Sequence, residues 1–178
     1  MHGAILIDKP QDITSAGVLR DIKRTFRTAG LECPAIGHAG TLDPMATGLL
    51  VVLLGKATKL QEVFLSAKKR YVGTIRLGIA TDTDDITGKT IAEDTNLTFW
   101  ERGEQVVLEE ITSNFSGTVQ QRPPNYSAIK ISGKKSYDLA RKGIEIPLAE
   151  RPIEIVSAKY GVIDRNTLCY DIVCSKGT

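Results

Sequence analysis

Cysteine, histidine and tryptophan are all scarce in this sequence, at three, two and one in 178 residues. The cysteines (Cys33, Cys169, Cys174) are odd in number and form no C-x-x-C pair, which excludes a disulfide framework and points to a reducing cytosol. Two histidines are too few for a His-based metal site. Long apolar runs are also missing. The longest, residues 49–54, has six residues where a membrane-spanning helix needs about 18 or more. Asp8 and Lys9 fall where a signal peptide would be apolar, so no secretory address is expected. Neither sign of charge dominates. The 23 bases and 21 acids leave a net charge of +2, which excludes a basic tail protein and an acidic disordered one. What is present, 42% apolar and 25% charged residues, is the profile of a globular protein. The length suggests one domain, able to bury roughly 70% of the surface of its unfolded chain. A cytoplasmic location is expected.

The near-neutral total hides local asymmetry. Residues 82–110 carry nine acids against Lys89 and Arg102, whereas residues 122–142 carry six bases and only Asp138. Residues 68–76 add four bases and no acid. Such blocks are ordinarily solvated faces. The two basic blocks also contain Tyr71, Tyr126 and Tyr137, however, and cations interleaved with rings suit nucleic acid, phosphate meeting charge and base meeting ring.

Periodicity predicts interleaved strands and helices without a steady βαβ rhythm. Residues 4–7 read as a strand closed by Asp8-Lys9-Pro10. Thr14 or Ser15 caps a helix with Val18, Leu19, Ile22 and Phe26 on one face, while Arg20, Lys23, Arg24 and Arg27 lie off that stripe. Residues 49–54 read as a buried strand, 57–66 as a helix, and 71–77 as an alternating strand. Residues 105–115 have helical spacing, with Glu101 and Glu104 near the favourable N-terminal end. A short helix over 136–142 is closed by Gly143. Two further strands, 152–160 and 168–174, flank a turn at Asp164-Arg165-Asn166.

Several tempting motifs fail. Gly48 and Gly55-Lys56 are separated by six residues where a P-loop has four, and Ala57 stands in place of Ser or Thr. The acidic run 81–85 matches a calcium loop at two positions only, with Ile86 and Thr87 at the next ligand and glycine positions, so it reads as a solvated turn. Residues 37–48, GHAGTLDPMATG, are different. Their glycines permit an irregular backbone that another molecule can approach closely. Asp43 precedes Pro44 and is thereby biased to extended geometry, and the loop feeds directly into the apolar strand. A carboxylate placed there can serve as nucleophile or base, and the plain alternative is an ordinary Asp-Pro turn.

The segment GHAGTLDPMATGLLVVLLGKATK resembles the catalytic motif of the TruB family of tRNA pseudouridine synthases. The resemblance continues in order through KKRYVGTIRLGIATDTDDITG, FSGTVQQRPPNYSAIKISGKKSYDLARKGIEI, RPIEI and CSKGT. It implies an α+β fold, a mixed and mainly antiparallel sheet flanked by helices and loops. It implies isomerisation of the T-loop uridine at position 55 of tRNA to pseudouridine. Residues 1–178 would be the catalytic domain, without its C-terminal part and any PUA domain. Asp43 matches the family's catalytic aspartate, Tyr71 its active-site tyrosine, and His38 a histidine that meets the RNA near the target base. A uridine stacked in a folded T-loop must be flipped outward, which calls for phosphate-binding groups. Lys68, Lys69 and Arg70, preceding Tyr71, suit that task, and Lys130, Lys134, Lys135, Arg141 and Lys142 would extend the footprint. The reaction is redox-neutral, so no cofactor, metal or nucleotide is expected. The implied partner is the tRNA T-arm, with no membrane, and a monomer is expected for the full-length protein. In the family an aromatic residue and an arginine that pairs with the catalytic aspartate follow CSKGT. The expectation is therefore a family member in fragment form, the alternative function being a catalytically incompetent RNA-binding fragment of such an enzyme.

Overall fold

A computed structural model describes residues 1–123, 130–131, 134–135 and 149–178. The chain divides into two compact units, Met1–Ala67 and Lys68–Thr178. In the first unit, β1 (Gly3–Lys9) leads to α1 (Ser15–Thr28), followed by β2 (Ile36–His38) and β3 (Gly48–Leu54). The three strands form an antiparallel sheet in the order β1-β3-β2. The register sets Ile5 against Val52 and Ile7 against Leu50, so alternate residues of both strands share one face. On that face Leu50, Val52 and Leu54 are almost fully buried and pack with Val18, Leu19, Ile22 and Phe26 of α1. The apolar stripe of the helix thus lies where its spacing predicts, and Thr14 is the cap, its hydroxyl accepting from the Gly17 amide at 2.9 Å. The expected helix over 57–66 is half right. Gly55–Leu60 is a 3-10 turn, and only α2 (Gln61–Ser66) is α-helical. Local bonds such as Thr58 hydroxyl to the Gly55 carbonyl (2.8 Å) satisfy the tighter geometry.

The second unit begins with β4 (Lys69–Arg76). It continues through the hairpin β5 (Ile79–Thr81) and β6 (Thr90–Glu93), a 3-10 turn (Thr98–Arg102), α3 (Glu104–Asn114) and β7 (Gly117–Gln121). Two short strands, β8 (Lys130–Ile131) and β9 (Lys134–Lys135), pair with each other, and the long hairpin β10 (Arg151–Asp164) and β11 (Thr167–Cys174) closes the chain. The main sheet is antiparallel in the order β4-β11-β10-β7. The β10–β11 turn is the pair Arg165-Asn166, held by the Asn166 amide donating to Asp164 Oδ1 at 2.7 Å. The core collects on one face of this sheet. Leu168, Cys174, Ile153 and Ile155 are buried there, together with Leu97 and Val107 elsewhere in the unit. The acidic run is a turn, as expected, but its acids are used: Asp85 Oδ1 accepts from the Thr83 hydroxyl (2.8 Å) and from the Thr87 amide (2.8 Å) and hydroxyl (2.6 Å). The architecture is the α+β, mainly antiparallel arrangement that the resemblance implies. The short helix expected over 136–142, with Arg141 and Lys142, lies outside the described residues, as do Tyr126 and Tyr137.

Candidate active site

In the first unit the segment expected to carry the chemistry, residues 37–48, runs from β2 into β3. Of its three glycines, Gly37 is an ordinary strand residue paired with Leu53, while Gly40 (φ 125°) and Gly48 (φ 111°) take backbone angles that a side chain would strain. Asp43 opens a turn that the Ala46 amide closes on the Asp43 carbonyl at 3.1 Å, with Pro44 in the second position that proline favours. An Asp-Pro turn is therefore present, but it is not an ordinary one. Its backbone is fixed on both sides by buried polar side chains.

On the C-terminal side, the Pro44 carbonyl accepts from the Asp12 amide at 2.8 Å and from the Lys9 ammonium at 3.2 Å. Lys9 is the last residue of β1 and is completely buried. Its ammonium has three hydrogens, and it also donates to the carbonyls of Pro10 (2.9 Å) and Ile13 (2.8 Å). Three donors meet three acceptors, which is what a buried ammonium requires. On the N-terminal side, Ser15 is 2% exposed, and its hydroxyl donates to the Leu42 carbonyl and accepts from the Leu42 amide, both at 3.0 Å. The Asp43 side chain itself is exposed and takes no hydrogen bond among the described residues. The result is a fixed backbone that presents an accessible carboxylate. His38 is half-buried at the end of β2. Its Nδ1 lies 2.6 Å from the Gly40 carbonyl, a hydrogen bond that Nδ1 donates when it carries the proton and that does not involve Nε2. The His38 carbonyl accepts from Gln61 Nε2 at 3.0 Å, tying the start of the loop to α2.

The second unit carries the other expected residues. Tyr71 lies on β4 opposite Ile172 and is 41% exposed. Lys69 shares its face by strand alternation, and Lys68 is exposed just before the strand. Arg70 points the other way. Its guanidinium is forked onto Asp171, with Nε and Nη2 donating at 2.8 and 2.7 Å. That paired hydrogen bond, more than simple charge attraction, holds Arg70 above and Asp171 below their ordinary values, Lys159 adding to the effect on Asp171. The three bases before Tyr71 are thus not equivalent, because strand alternation separates Arg70 from Lys69 and the fork onto Asp171 engages the Arg70 guanidinium. Beside Tyr71, Gly73 lies opposite Tyr170, whose hydroxyl is 2.6 Å from where a Cβ on Gly73 would sit. Only glycine leaves room for that ring to cross the strand. Lys130 is the register partner of Lys135, and Ile131 of Lys134.

A family model described as TruB family pseudouridylate synthase (N terminal domain) matches residues 23–178, which includes Asp43 with its pinned neighbours Leu42 and Pro44, and Tyr71. The chain belongs to the TruB family. Among curated relatives, the tRNA pseudouridine synthase B of Psychrobacter arcticus is 44% identical over 178 residues, covering 100% of this chain and 46% of the relative. The tRNA pseudouridine synthase B of Hydrogenovibrio crunogenus is 41% identical over 181 residues, covering 100% of this chain and 56% of the relative. This member of the family therefore spans about half the length of the curated relatives it matches. Among solved structures, a chain of a Cbf5–Nop10–Gar1 complex superposes with a TM-score of 0.67 at 26% identity, covering 99% of this chain and 40% of that one. A chain of an H/ACA ribonucleoprotein bound to a substrate RNA containing 2′-deoxyuridine gives 0.63 at 22% identity, which establishes a shared fold.

Sequence reasoning missed Lys9 and Ser15. Sequence pattern shows the first only as a charge that argues against a signal peptide and as part of a turn, and the second only as an alternative helix cap. The one available signal is a lysine separated by one residue from an apolar run and directly before proline.

Proposed function

We propose that this chain is the N-terminal part of the catalytic domain of a tRNA pseudouridine synthase acting on the T-loop uridine at position 55. The observation that carries the proposal is Asp43: an exposed carboxylate on a loop fixed from both sides, within a chain that belongs to this family. In the reaction the N1–C1′ bond of uridine breaks, the uracil turns, and a C5–C1′ bond forms. The proton on C5 leaves and N1 gains one, with no net change in oxidation state. Asp43 is assigned to this step as nucleophile or as stabiliser of the electron-poor sugar carbon, chemistry that a fixed and unengaged carboxylate can perform. No cofactor enters the scheme.

The target nucleotide is assigned a flipped conformation, since a stacked base cannot be reached. Tyr71 is assigned to uracil, its ring for stacking and its hydroxyl for proton transfer. His38 is assigned to the RNA next to the target, with Nε2 as the contacting atom. Lys68 and Lys69 are assigned to phosphate near the flipped nucleotide, and Arg70 joins them only by leaving Asp171. Lys130, Lys134 and Lys135 form the distal part of the footprint. Their backbone register pairs Lys130 with Lys135, and lysines are the residue type that an anionic nucleic-acid backbone attracts. The partner is the tRNA T-arm, the full-length protein is monomeric, and the site of action is the cytoplasm.

The test is Asp43→Asn in the full gene product that carries this chain, with pseudouridine counted in a T-arm RNA. Turnover is expected to vanish while RNA affinity stays within roughly tenfold, because chemistry is deleted and the footprint is kept. Turnover at the wild-type rate would overturn the assignment.

A further inference from the structure

We infer that Ser15 is a positioning residue for Asp43, an inference that rests on the assignment of Asp43 to the chemistry. Ser15 is the first residue of α1, but it is not the cap, since the Thr14 hydroxyl already takes the free Gly17 amide. Nor does it hold Leu42 in the core, because the Leu42 side chain packs against the α1–β3 cluster by itself. The Ser15 hydroxyl is spent wholly on the backbone of Leu42, accepting from its amide and donating to its carbonyl, both at 3.0 Å across 27 residues of sequence.

The Leu42 carbonyl belongs to the peptide group that joins Leu42 to Asp43. Fixing both its oxygen and the preceding amide fixes the plane of that peptide, and with it the direction in which the Asp43 Cα–Cβ bond leaves the loop. On the far side, the Asp12 amide and the Lys9 ammonium fix the Pro44 carbonyl. Asp43 is the one residue between the two clamps, and its own side chain is exposed. A carboxylate without hydrogen bonds of its own can be aimed only through its backbone, and the N-terminal half of that aim comes from one hydroxyl. Ser15 touches no reacting atom in this scheme and acts through Leu42 alone.

The experiment compares Ser15→Ala, Val18→Ala and Asp43→Asn in the full gene product, using a T-arm RNA as substrate. Val18 is buried in the same helix and belongs to the cluster that Leu42 packs against, but its side chain cannot hydrogen-bond the Leu42 backbone, so it reports what lost packing alone does. Ser15→Ala is expected to lower kcat by about tenfold to a hundredfold, the cost of misplacing a reacting group by about 1 Å, with KM for the RNA within about twofold. The Leu42 amide should also exchange with solvent faster in Ser15→Ala than in Val18→Ala at equal folded fraction. Val18→Ala should keep kcat per folded molecule. Two results overturn the inference while leaving the functional reading intact: an inactive Asp43→Asn beside a Ser15→Ala at wild-type kcat, or equal losses in Ser15→Ala and Val18→Ala. An active Asp43→Asn would remove the reading, and the inference with it.

Discussion

Replacing Lys9 by methionine deletes the ammonium while keeping most of the stem that fills its buried site. Three hydrogen bonds disappear, to the carbonyls of Pro10, Ile13 and Pro44. Bonds from a charged donor are worth about 1.5–3 kcal/mol each, a gross loss of roughly 5–9 kcal/mol. Against this stands the desolvation of a fully buried charge, several kcal/mol that the variant no longer spends. The Pro44 carbonyl keeps the Asp12 amide, so the carbonyls of Pro10 and Ile13 are the groups that lose a donor. Pro10 is exposed and Ile13 half-buried, so water can replace part of the lost bonding. At the low end of the usual cost, about 1–2 kcal/mol for each of these two acceptors, the net destabilisation should be about 2–4 kcal/mol. For a domain of this size that is a fall of about 5–15 °C in Tm. Thermal melting followed by far-UV circular dichroism, wild type beside Lys9→Met, reads it directly. A variant melting within about 2 °C of wild type would mean that relief from desolvation cancels the lost bonds, and the clamp on Pro44 would need no ammonium.

Gly73→Ala places a methyl group about where the Tyr170 hydroxyl lies and should cost about 1–3 kcal/mol in urea unfolding, with Tyr170→Leu restoring part of the loss. Asp171→Asn releases the Arg70 guanidinium, so affinity for a T-arm RNA should rise and its salt dependence steepen; an unchanged slope would show that Arg70 does not reach phosphate. Reversing Lys134 and Lys135 to glutamate should weaken RNA binding and flatten the same slope, a measurement made by titration at several salt concentrations. Partial burial works to raise the Asp85 carboxyl, but hydrogen bonds from Thr87 and Thr83 outweigh it and hold the group below its usual value. The contribution of Asp85 to the β5–β6 hairpin is therefore complete above the ordinary carboxylate range and lost as pH falls through the depressed value. Amide exchange at Thr87 should accelerate on acidification, and in Asp85→Asn that acid step should be absent.

Much of the fold follows from the sequence alone, since short-range pattern dictates it. The stripe Val18, Leu19, Ile22 and Phe26 has the 3.6-residue period of a helix with one buried face, and residues 49–54 are apolar and branched enough to form a strand that is covered from Leu50 onward, Leu49 alone being exposed. Asp43 could be singled out because it is a carboxylate before proline on a glycine-rich loop that feeds an apolar strand, and because that segment resembles a family's catalytic motif. The ladder partners were not legible. Nothing local specifies that β11 lies between β4 and β10, because pairing is settled by which apolar faces can be buried together. The roles of Lys9, Ser15 and Arg70 were invisible for the same reason. A lysine, a serine and an arginine look solvated in sequence, and only the folded chain brings three carbonyls around one ammonium, one backbone residue against one hydroxyl, and Asp171 across the sheet from Arg70. Burial and polar partnership are properties of residues distant in sequence, whereas periodicity is a property of neighbours, and that difference divides what the chain announces from what only its tertiary structure decides.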